Sequence, residues 1–439
     1  MQVEKFIPGG FALATADDGK KVFFWNALPG ERVAKYQITK NKSSYFEAIA
    51  TKIESPSPFR VKPKDECYLS TSPWQILDYN YELKQKSLLV QEIFREHGMA
   101  IDAPEVITDG KDYFYRNKME YALYFDHKDE RIHLAFHARG SHRKIVVESS
   151  SLEHPEIFKK SLEIVDDLNR KHEEARRYQS ILLRCNQNGE VRGGLFENKK
   201  PHPVFDNLKD TILDHEYSYS PNGFFQINLP VYELALREIK NHINTDEVLD
   251  LYAGVGTIGL SVARDKKLTL VEVDKSAYKE LEYNCKNTLL GRLLPVEGNK
   301  NISLGRLLLA ESDRNISLGR LLSVEGNKNI SLGRLLPATS AQTNIFITKP
   351  VLAKSEDVLE YINNHQTVIL DPPRAGINKS LAERLLEVTP PKIIYLSCNP
   401  ATQARDIEIL LQKYHIDMVK TYNFFPHTPH IENLVVLSL

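Results

Sequence analysis

Short apolar runs that end in turn-forming residues recur from residue 216 onward, and they constrain the fold more than any other feature. These runs lie in EVLDLYAGVG, LTLVEVD, QTVILDPPRAG, KIIYLSCNP and ENLVVLSL, with helix-length segments between most of them. Strands that alternate with helices are typical of a mostly parallel sheet covered by helices. We therefore predict a doubly wound, Rossmann-like α/β domain over residues 216–439.

Two further domains are predicted before residue 216. Residues 1–62 contain alternating runs such as KVFFW and YFEAIA between the turn sequences PGG, DDG and LPGE, which predicts a small β barrel. Pro56, Pro58 and Pro63 mark its end. Residues 63–215 mix helical and strand-like stretches, which predicts a central α+β domain.

A fourteen-residue unit interrupts the carboxyl-terminal pattern at about 287–342. Its four copies begin at Asn287, Asn301, Asn315 and Asn329. The unit is shorter than the common solenoid repeats, and a glycine in each copy weakens a continuous helix. We predict a tandem duplication that the fold tolerates as a surface excursion, because lengthening a loop costs little entropy. The leucine pairs of each copy leave an interaction role open.

Composition excludes several classes of protein. The 439 residues carry a formal net charge of -1, so nucleic-acid binding would have to depend on local basic patches. No apolar run approaches the roughly 20 residues of a membrane span, and MQVEKFIPGG lacks the regions of a secretory signal. Scattered cysteines fit neither a disulfide framework nor a CxxC metal site, and they favour a reducing, cytoplasmic location: Cys67, Cys185, Cys285 and Cys398.

The segment LDLYAGVGTIGL joins an apolar strand to a helix through a glycine-rich turn. Gly254, Gly256 and Gly259 allow a tight turn and a close approach of the backbone to a ligand. Glu272 ends the next strand, where its carboxylate could accept hydrogen bonds from ribose hydroxyls. The pair fits a dinucleotide or S-adenosylmethionine, and structural glycines beside a surface glutamate are the alternative.

Two later strands end in residues that carry chemistry. Asp371 ends VILD and Cys398 follows KIIYLS, so both should lie at the carboxyl edge of the sheet, where open α/β sheets bind ligands. The Asp371 segment also has the composition of a plain strand-ending turn. A lone cysteine is most often a buried core residue, but the strand ends at once after Cys398. A metal site with His427 and His430 is not excluded by the sequence.

A thiol and a carboxylate beside a methyl donor have one specific use. Carbon C5 of a pyrimidine is a poor nucleophile. A thiolate that adds to C6 makes C5 able to accept a methyl group. A base then removes the C5 proton so that the thiolate can leave. Glu432, just before the last strand, is the candidate base.

The ordered motifs LDLYAGVGTIGL, LDPPRAG, SCNPATQARD and FPHTPHIE resemble those of the RNA uracil-C5 methyltransferase family. PNGFFQIN is similar to the family segment before the cofactor domain, and the first sixty residues resemble its RNA-binding TRAM domain, an OB-like β barrel. The resemblance covers nearly the whole chain except the repeats. It implies a class I methyltransferase domain that uses S-adenosyl-L-methionine.

The resemblance also implies roles for individual residues. Cys398 would be the nucleophile and Glu432 the base. The residues around the cofactor or the target base would be Gln226, Tyr252, Gly254, Gly256, Thr257, Glu272 and Asp371. The candidates for phosphate contacts, with a solvated loop as the alternative for each, are Arg116, Lys118, Arg139, Arg143 and Lys144. Phe225 and Phe425 are candidates for stacking on an extruded base, and core packing is their alternative.

The sequence departs from the family in two places. Many relatives hold an iron-sulfur cluster with four cysteines, whereas ECYLSTSPWQ offers Cys67 alone, so we predict no cluster and no other metal. Lys349 and Pro350 stand about where relatives have a cofactor-facing acid, which predicts weaker or rebuilt adenine binding.

Together these observations predict an enzyme that makes 5-methyluridine in structured RNA and acts as a monomer without a membrane partner. The TRAM-like domain favours large-subunit (23S) ribosomal RNA, and transfer RNA is the alternative substrate. Two other hypotheses stay open: an RNA-binding or RNA-folding protein that keeps the fold without the chemistry, and an NAD-linked oxidoreductase that explains only the glycine spacing.

Overall fold

The computed structural model describes residues 1–172, 177–197, 199–202, 205–293 and 348–439. The repeat unit begins inside the last turns of a helix that ends at Leu293. From residue 294 to its end, the predicted repeat insertion lies outside the described residues. The prediction of a surface excursion therefore stays a prediction.

The first 55 residues form a five-stranded sheet. Its strands are β1 (Val3–Phe6), β2 (Ala12–Thr15), β3 (Lys21–Trp25), β4 (Arg32–Asn41) and β5 (Tyr45–Ser55), in the order β1-β2-β3-β5-β4. A bridge between Gln2 and Arg32 joins the two edge strands. Burial alternates along β2 and most of β5, as expected for strands with one face on a core. The assignment of this sheet as a TRAM or OB-like barrel stays a prediction.

The middle of the chain combines helices with a second sheet. Its helices are α1 (Tyr68–Thr71), α2 (Tyr79–Glu96) and α3 (Pro155–Arg170). Its strands are β6 (Val106–Ile107), β7 (Lys118–Asp126), β8 (Arg131–His137), β9 (Lys144–Val146), β10 (Tyr178–Cys185), β11 (Val191–Glu197) and β12 (Lys200–His202). All but β6 form one antiparallel sheet in the order β12-β11-β10-β7-β8-β9. The Asp78 side chain caps α2 by accepting a hydrogen bond from Tyr81 N.

The remaining elements form an α/β domain after a two-stranded hairpin. The strands are β13 (Leu208–Ile212), β14 (His215–Tyr219), β15 (Glu247–Leu251), β16 (Lys267–Glu272), β17 (Thr348–Leu352), β18 (Gln366–Leu370), β19 (Lys392–Ser397), β20 (His415–Tyr422) and β21 (Glu432–Ser438). The helices are α4 (Leu229–Asn241), α5 (Thr257–Val262), α6 (Lys275–Leu293), α7 (Lys379–Val388) and α8 (Pro400–Leu410). Two 3-10 turns, Ser355–Asp357 and Leu359–Tyr361, follow β17.

One eight-stranded sheet organises this domain, in the order β17-β16-β15-β18-β19-β21-β20-β6. The strands from β17 to β19 are parallel, which confirms the predicted doubly wound α/β sheet. The last strand, β21, inserts antiparallel between β19 and β20. The eighth strand, β6, comes from the middle of the chain and pairs in parallel with β20.

The hydrophobic core is continuous from the first sheet to the last. One cluster of buried side chains includes Phe24 of β3, Phe94 of α2 and Leu370 of β18. The first sheet also contacts the loop before β21, where Gly10 lies against Pro429, and the Trp74 indole donates a hydrogen bond to Gly10 O (3.1 Å). The amino-terminal sheet therefore packs against the loop that precedes the last strand, β21.

Replacing Gly10 with alanine should destabilise the protein because the added methyl would overlap Pro429. A Cβ built on Gly10 lies 2.1 Å from Pro429 Cβ, and the residue has φ 87°, a left-handed conformation that favours glycine. Gly19 is a matched control, because its φ is 83° and nothing lies within 4 Å of its Cβ. We expect Gly10→Ala to lower the free energy of unfolding by about 1–3 kcal/mol more than Gly19→Ala. Denaturant unfolding measures both, and equal losses would contradict the contact.

Candidate active site

The glycine-rich turn after β15 has a strained, left-handed backbone. Tyr252 has φ 67°, Gly254 has φ 58° and Gly256 has φ 91°. A non-glycine residue in this conformation is uncommon and is found most often at functional sites. The turn is tied to the next strand, because Gly254 N donates to the Glu272 carboxylate (2.8 Å). Three predicted cofactor-binding residues and Glu272 thus meet in one place.

Buried polar groups hold the start of α5 under this turn. The buried Asp250 carboxylate accepts a hydrogen bond from Gly259 N (2.8 Å), and burial raises the pKa of Asp250 to about 8. A Cβ on Gly259 would lie 2.7 Å from Asp250 Oδ2, so only glycine allows this approach. The Thr257 hydroxyl bonds the Tyr232 hydroxyl of α4 (2.8 Å). Tyr232 was not predicted from the sequence.

Asp371 follows β18, the strand beside β15, as the sequence predicted. Burial raises the pKa of Asp371 to about 7, and its charge acts on Tyr232, Cys398 and Glu432. A carboxyl group with such a pKa, in a crevice at the ends of parallel strands, is a candidate functional group.

The pairing of β19 with β21 brings Cys398 and Glu432 together. Ser397 pairs with Asn433 at the end of this antiparallel ladder. Cys398 is the next residue of one strand and Glu432 the preceding residue of the other, so the two stand directly opposite each other. Opposite residues in such a ladder have Cβ atoms about 4.5–5.5 Å apart. Residues 34 positions apart in the sequence therefore become neighbours.

The electrostatics of this pair are set by burial. Burial, followed by the nearby charges of Glu432 and Asp371, raises the pKa of the Cys398 thiol to about 11. Glu432 is buried, and burial, followed by the charge of Asp371, raises its pKa well above its usual range. Arg374 opposes both shifts. The Glu432 carboxyl thus acts on the Cys398 thiol, as expected for neighbouring groups.

Arg374 is a site residue that the sequence analysis missed. Its guanidinium hydrogen-bonds to the Cys398 thiol and donates to His430 Nδ1 (3.1 Å). Burial, followed by the charge of Arg374, lowers the pKa of His430 to about 4. Asn399 Nδ2 in turn donates to Arg374 O (2.9 Å). Arg374 follows the two prolines of LDPPRAG, so the motif itself contained the signal.

A cavity of about 540 Å³ opens beside the glycine-rich turn. Its lining includes Tyr252, Glu356, Gly376 and Arg405, and Tyr252 is the one predicted cofactor-binding residue in that lining. Burial raises the pKa of Tyr252 to about 12, and its hydroxyl shares a hydrogen bond with Ser355. The rest of the lining comes from the segment after β18 and from α7 and α8.

The register of β17 corrects the prediction for Lys349. Lys349 pairs with Thr269 in the middle of the strand, whereas Leu352 pairs with Glu272 at the strand end. Lys349 is exposed, and its ammonium contacts Tyr361. The residues that follow the strand into the crevice are Ser355 and Glu356, so Lys349 does not occupy the cofactor-facing position. The sequence pattern did not show where β17 ends.

Gln226 lies in a segment whose carbonyl groups accept hydrogen bonds from residues of the middle region of the chain. Lys118 Nζ donates to Asn222 O and Gly223 O (both 3.2 Å). The next carbonyls of the segment accept hydrogen bonds from the Arg184 guanidinium, the Asn117 amide and the Asn117 backbone N–H. These hydrogen bonds fix the path of the chain around Gln226, which is itself buried.

The two phenylalanines of PNGFFQIN have opposite environments. Phe225 is 2% exposed and stacks on Tyr219 with ring centres 3.7 Å apart, so core packing describes it. Phe224 is 73% exposed. Phe425 is half-buried and packs against His430. Phe224 is therefore the aromatic ring that is exposed enough to stack on a base. The sequence analysis did not single it out.

Four of the five predicted phosphate-binding side chains donate to carbonyl groups of the protein. Arg116 donates to Lys118 O (2.8 Å), Lys144 donates to Leu123 O (2.5 Å), and Lys118 holds the segment before Gln226. Arg139 donates to Leu69 O and lies over the Trp25 ring (4.1 Å). Arg143 is exposed in the turn between β8 and β9. Phosphate contact stays a prediction for all five, with Arg143 the most accessible.

The structure offers neither a metal site nor a membrane-spanning helix among its described residues. Cys67 is buried in the core of the middle sheet, and burial raises its pKa to about 12. His427 Nε2 contacts Asp112 (3.2 Å). Among the described residues, no three histidine, cysteine or acidic side chains are grouped to hold a metal ion. The described helices include none long and apolar enough to cross a bilayer.

Comparison with known proteins shows which fold and which relatives the chain resembles. The fold matches a solved structure of a tRNA (uracil-54, C5)-methyltransferase from Pyrococcus abyssi, with a TM-score of 0.70, 22% identity and coverage of 99% of this chain and 98% of that chain. The two proteins therefore share their fold over nearly their full lengths.

Relatives of known sequence extend over nearly the full length. A family model described as tRNA (Uracil-5-)-methyltransferase matches residues 327–439. RNA methyltransferases from Bacteroides thetaiotaomicron and Enterococcus faecalis are 24% and 26% identical over 98% and 96% of this chain, and over 99% and 93% of their own lengths. The chain is thus similar to RNA methyltransferases over nearly its full length, and its carboxyl-terminal residues 327–439 match the tRNA (Uracil-5-)-methyltransferase model.

Proposed function

We propose that this protein methylates carbon C5 of uridine in RNA with S-adenosyl-L-methionine as the methyl donor. The observation that carries the proposal is the β19–β21 register, which sets the Cys398 thiol opposite the Glu432 carboxyl at the carboxyl edge of a methyltransferase sheet. The P. abyssi structure of the same fold contains S-adenosyl-L-homocysteine, which supports the choice of donor.

The crevice has the chemistry to bind that donor. Glu272 and Asp371 provide carboxyl oxygens for the ribose and amino groups of the donor, and Gly254 has open space around its Cα. Tyr252 and Glu356 line the adjoining cavity. We assign Gln226, Gly256 and Thr257 to the same site as its supporting residues.

The proposed reaction uses the thiol and the carboxyl in sequence. Cys398 Sγ, as a thiolate, forms a bond to C6 of uracil, and the electron pair of the C5–C6 double bond moves toward C5. C5 then forms a bond to the methyl carbon of the donor, whose sulfur keeps the electrons of the broken bond. Glu432 accepts the C5 proton, the double bond forms again, and Cys398 leaves as thiolate.

The environment of each group suits a different step. A thiol with a pKa of about 11 is ionised in roughly one molecule in 10⁴ at pH 7, so loss of its proton must be coupled to substrate binding. The hydrogen bond from Arg374 favours the thiolate once it forms. The raised pKa of Glu432 makes its carboxylate a stronger base toward the C5 proton but lowers the fraction that is ionised in the free protein.

The RNA substrate is proposed at the level of its class. A target base inside a helix must be extruded to reach Cys398, and the exposed Phe224 ring offers a candidate stacking surface. Ribosomal RNA stays the predicted substrate. Transfer RNA is the second candidate, because the matched family model and the P. abyssi structure both name it.

The proposal predicts 5-methyluridine in RNA incubated with the protein and a labelled methyl donor. Unmodified ribosomal and transfer RNA would be treated in parallel, digested to nucleosides and analysed by mass spectrometry, with donor-free reactions as controls. Label in 5-methyluridine from one RNA identifies the substrate. RNA binding without methylation would contradict the proposal and favour the non-catalytic alternative, and label in another nucleoside would refute the assigned chemistry.

A further inference from the structure

The loop that leads to Glu432, residues 423–431, is anchored by side chains from distant parts of the chain. Tyr115 donates its hydroxyl to Pro426 O (3.0 Å), and Trp74 N donates to His427 O (3.0 Å). His427 has φ 60°, a left-handed conformation that costs free energy in a non-glycine residue. Surrounding contacts must therefore hold this loop in its path.

A buried ion pair on α2 makes the central contacts with this loop. Lys86 and Glu82 are both fully buried, one helical turn apart, with Lys86 Nζ 2.8 Å from Glu82 Oε1. Lys86 Nζ also donates to Asn423 Oδ1 (2.6 Å) and to Phe425 O (3.1 Å). Both oxygens of Glu82 accept from His427 N (3.1 and 2.9 Å). The pair thus binds the loop at three successive points.

Stability alone does not explain why such a pair is kept. Removing two charges from water costs several kcal/mol per ion, and well-packed apolar residues often replace buried ion pairs without loss of stability. What an apolar pair would not provide is a donor to one carbonyl and an acceptor for a backbone N–H two residues later. The arrangement specifies the shape of the loop, and the loop ends at Glu432.

We propose that Glu82 and Lys86 are positioning residues that hold the 423–431 loop so that Glu432 faces the C5 proton of the uracil bound to Cys398. This inference rests on the proposed function. The pair acts through the loop and contacts neither the thiol nor the substrate. Its removal should therefore affect proton abstraction, the step that needs Glu432, more than the addition of Cys398 or methyl transfer.

The test is the double variant Glu82→Gln/Lys86→Met, which removes both charges and keeps similar volumes. Single-turnover methyl transfer to RNA should stay within about threefold of the wild-type rate, while release of product slows at least tenfold. A covalent protein–RNA complex should then accumulate with ordinary uridine RNA and S-adenosyl-L-methionine. Denaturing gels measure the complex, and labelled methyl groups measure transfer.

Two further variants make the result decisive. Lys84→Met on the same helix removes an exposed lysine and should behave as wild type. Asn423→Ala leaves the ion pair intact and removes one of its links to the loop, so a smaller accumulation in the same direction is expected. It also provides the result if the double variant does not fold.

Specific outcomes would overturn the inference. Wild-type release rates in the double variant and in Asn423→Ala would show that the loop does not need the pair. Loss of methyl transfer and adduct together, with a lower unfolding temperature, would show a merely structural role. A wild-type protein that makes no 5-methyluridine in any RNA would overturn the proposed function itself.

Discussion

Replacing Cys398 with alanine is expected to abolish methylation, with a fall in rate of at least about 10⁴-fold. Without the sulfur no bond forms to C6, and C5 stays too weak a nucleophile to accept a methyl group. RNA that contains 5-fluorouridine should trap the wild-type protein as a covalent complex, because fluorine replaces the proton that Glu432 removes. Cys398→Ala should form no such complex on a denaturing gel.

The matched control for this experiment is Cys285→Ala. Cys285 is buried, whereas Cys398 is half-buried. Cys285 has a pKa of about 12 and lies in α6 among apolar side chains. Its loss should cost about 1 kcal/mol of stability and leave the rate of methylation unchanged. Methylation by Cys398→Ala at a rate comparable to that of Cys285→Ala would refute the assignment of the nucleophile.

Replacing Glu432 with glutamine should separate the two halves of the reaction. Cys398 can still add to C6 and the methyl group can still be transferred, but the amide cannot accept the C5 proton. We expect overall turnover to fall by about 10²–10⁴-fold and a methylated covalent complex to accumulate with ordinary RNA. Mass spectrometry of the isolated complex measures the added methyl group. Because glutamine carries no buried charge, the unfolding temperature should not fall.

Glu247→Gln is the control for Glu432→Gln. Glu247 also begins a strand of the large sheet, but at the opposite edge, where it pairs with Lys267 at 2.8 Å. Loss of this exposed pair should cost less than about 1 kcal/mol and leave turnover unchanged. If Glu432→Gln turns over at the rate of Glu247→Gln, the base must be another residue, and His430 would be the next candidate.

The large sheet could be predicted from the sequence because its strands carry an unmistakable local pattern. Apolar runs buried on both faces, each ended by glycine, proline or an acidic residue, predicted the parallel strands and the edge at which Asp371 and Cys398 lie. The antiparallel insertion of β21 was not predicted, since strand direction depends on pairing between distant segments. That insertion is what brings Glu432 opposite Cys398.

Other features escaped prediction because they depend on which face of an element is buried. Phe224 and Phe225 are adjacent and chemically identical, yet one is exposed and the other packs on Tyr219. The basic residues Lys118 and Arg139 were chosen by charge, whereas the fold turns their donors toward backbone carbonyls. Charge patterns in a sequence do not distinguish a cationic side chain exposed to solvent from one that donates hydrogen bonds to backbone carbonyls.

The short strand β6 has a consequence for how this protein can be divided. Val106 and Ile107 complete the edge of the eight-stranded sheet beside β20, and Ile107 O accepts the N–H of Asn423. A fragment cut at the predicted boundary near residue 216 would lack this edge strand, the α2 ion pair and the contact with Gly10. Such a truncation would remove contacts that hold the 423–431 loop, so we expect that residues 216–439 do not fold as an autonomous unit.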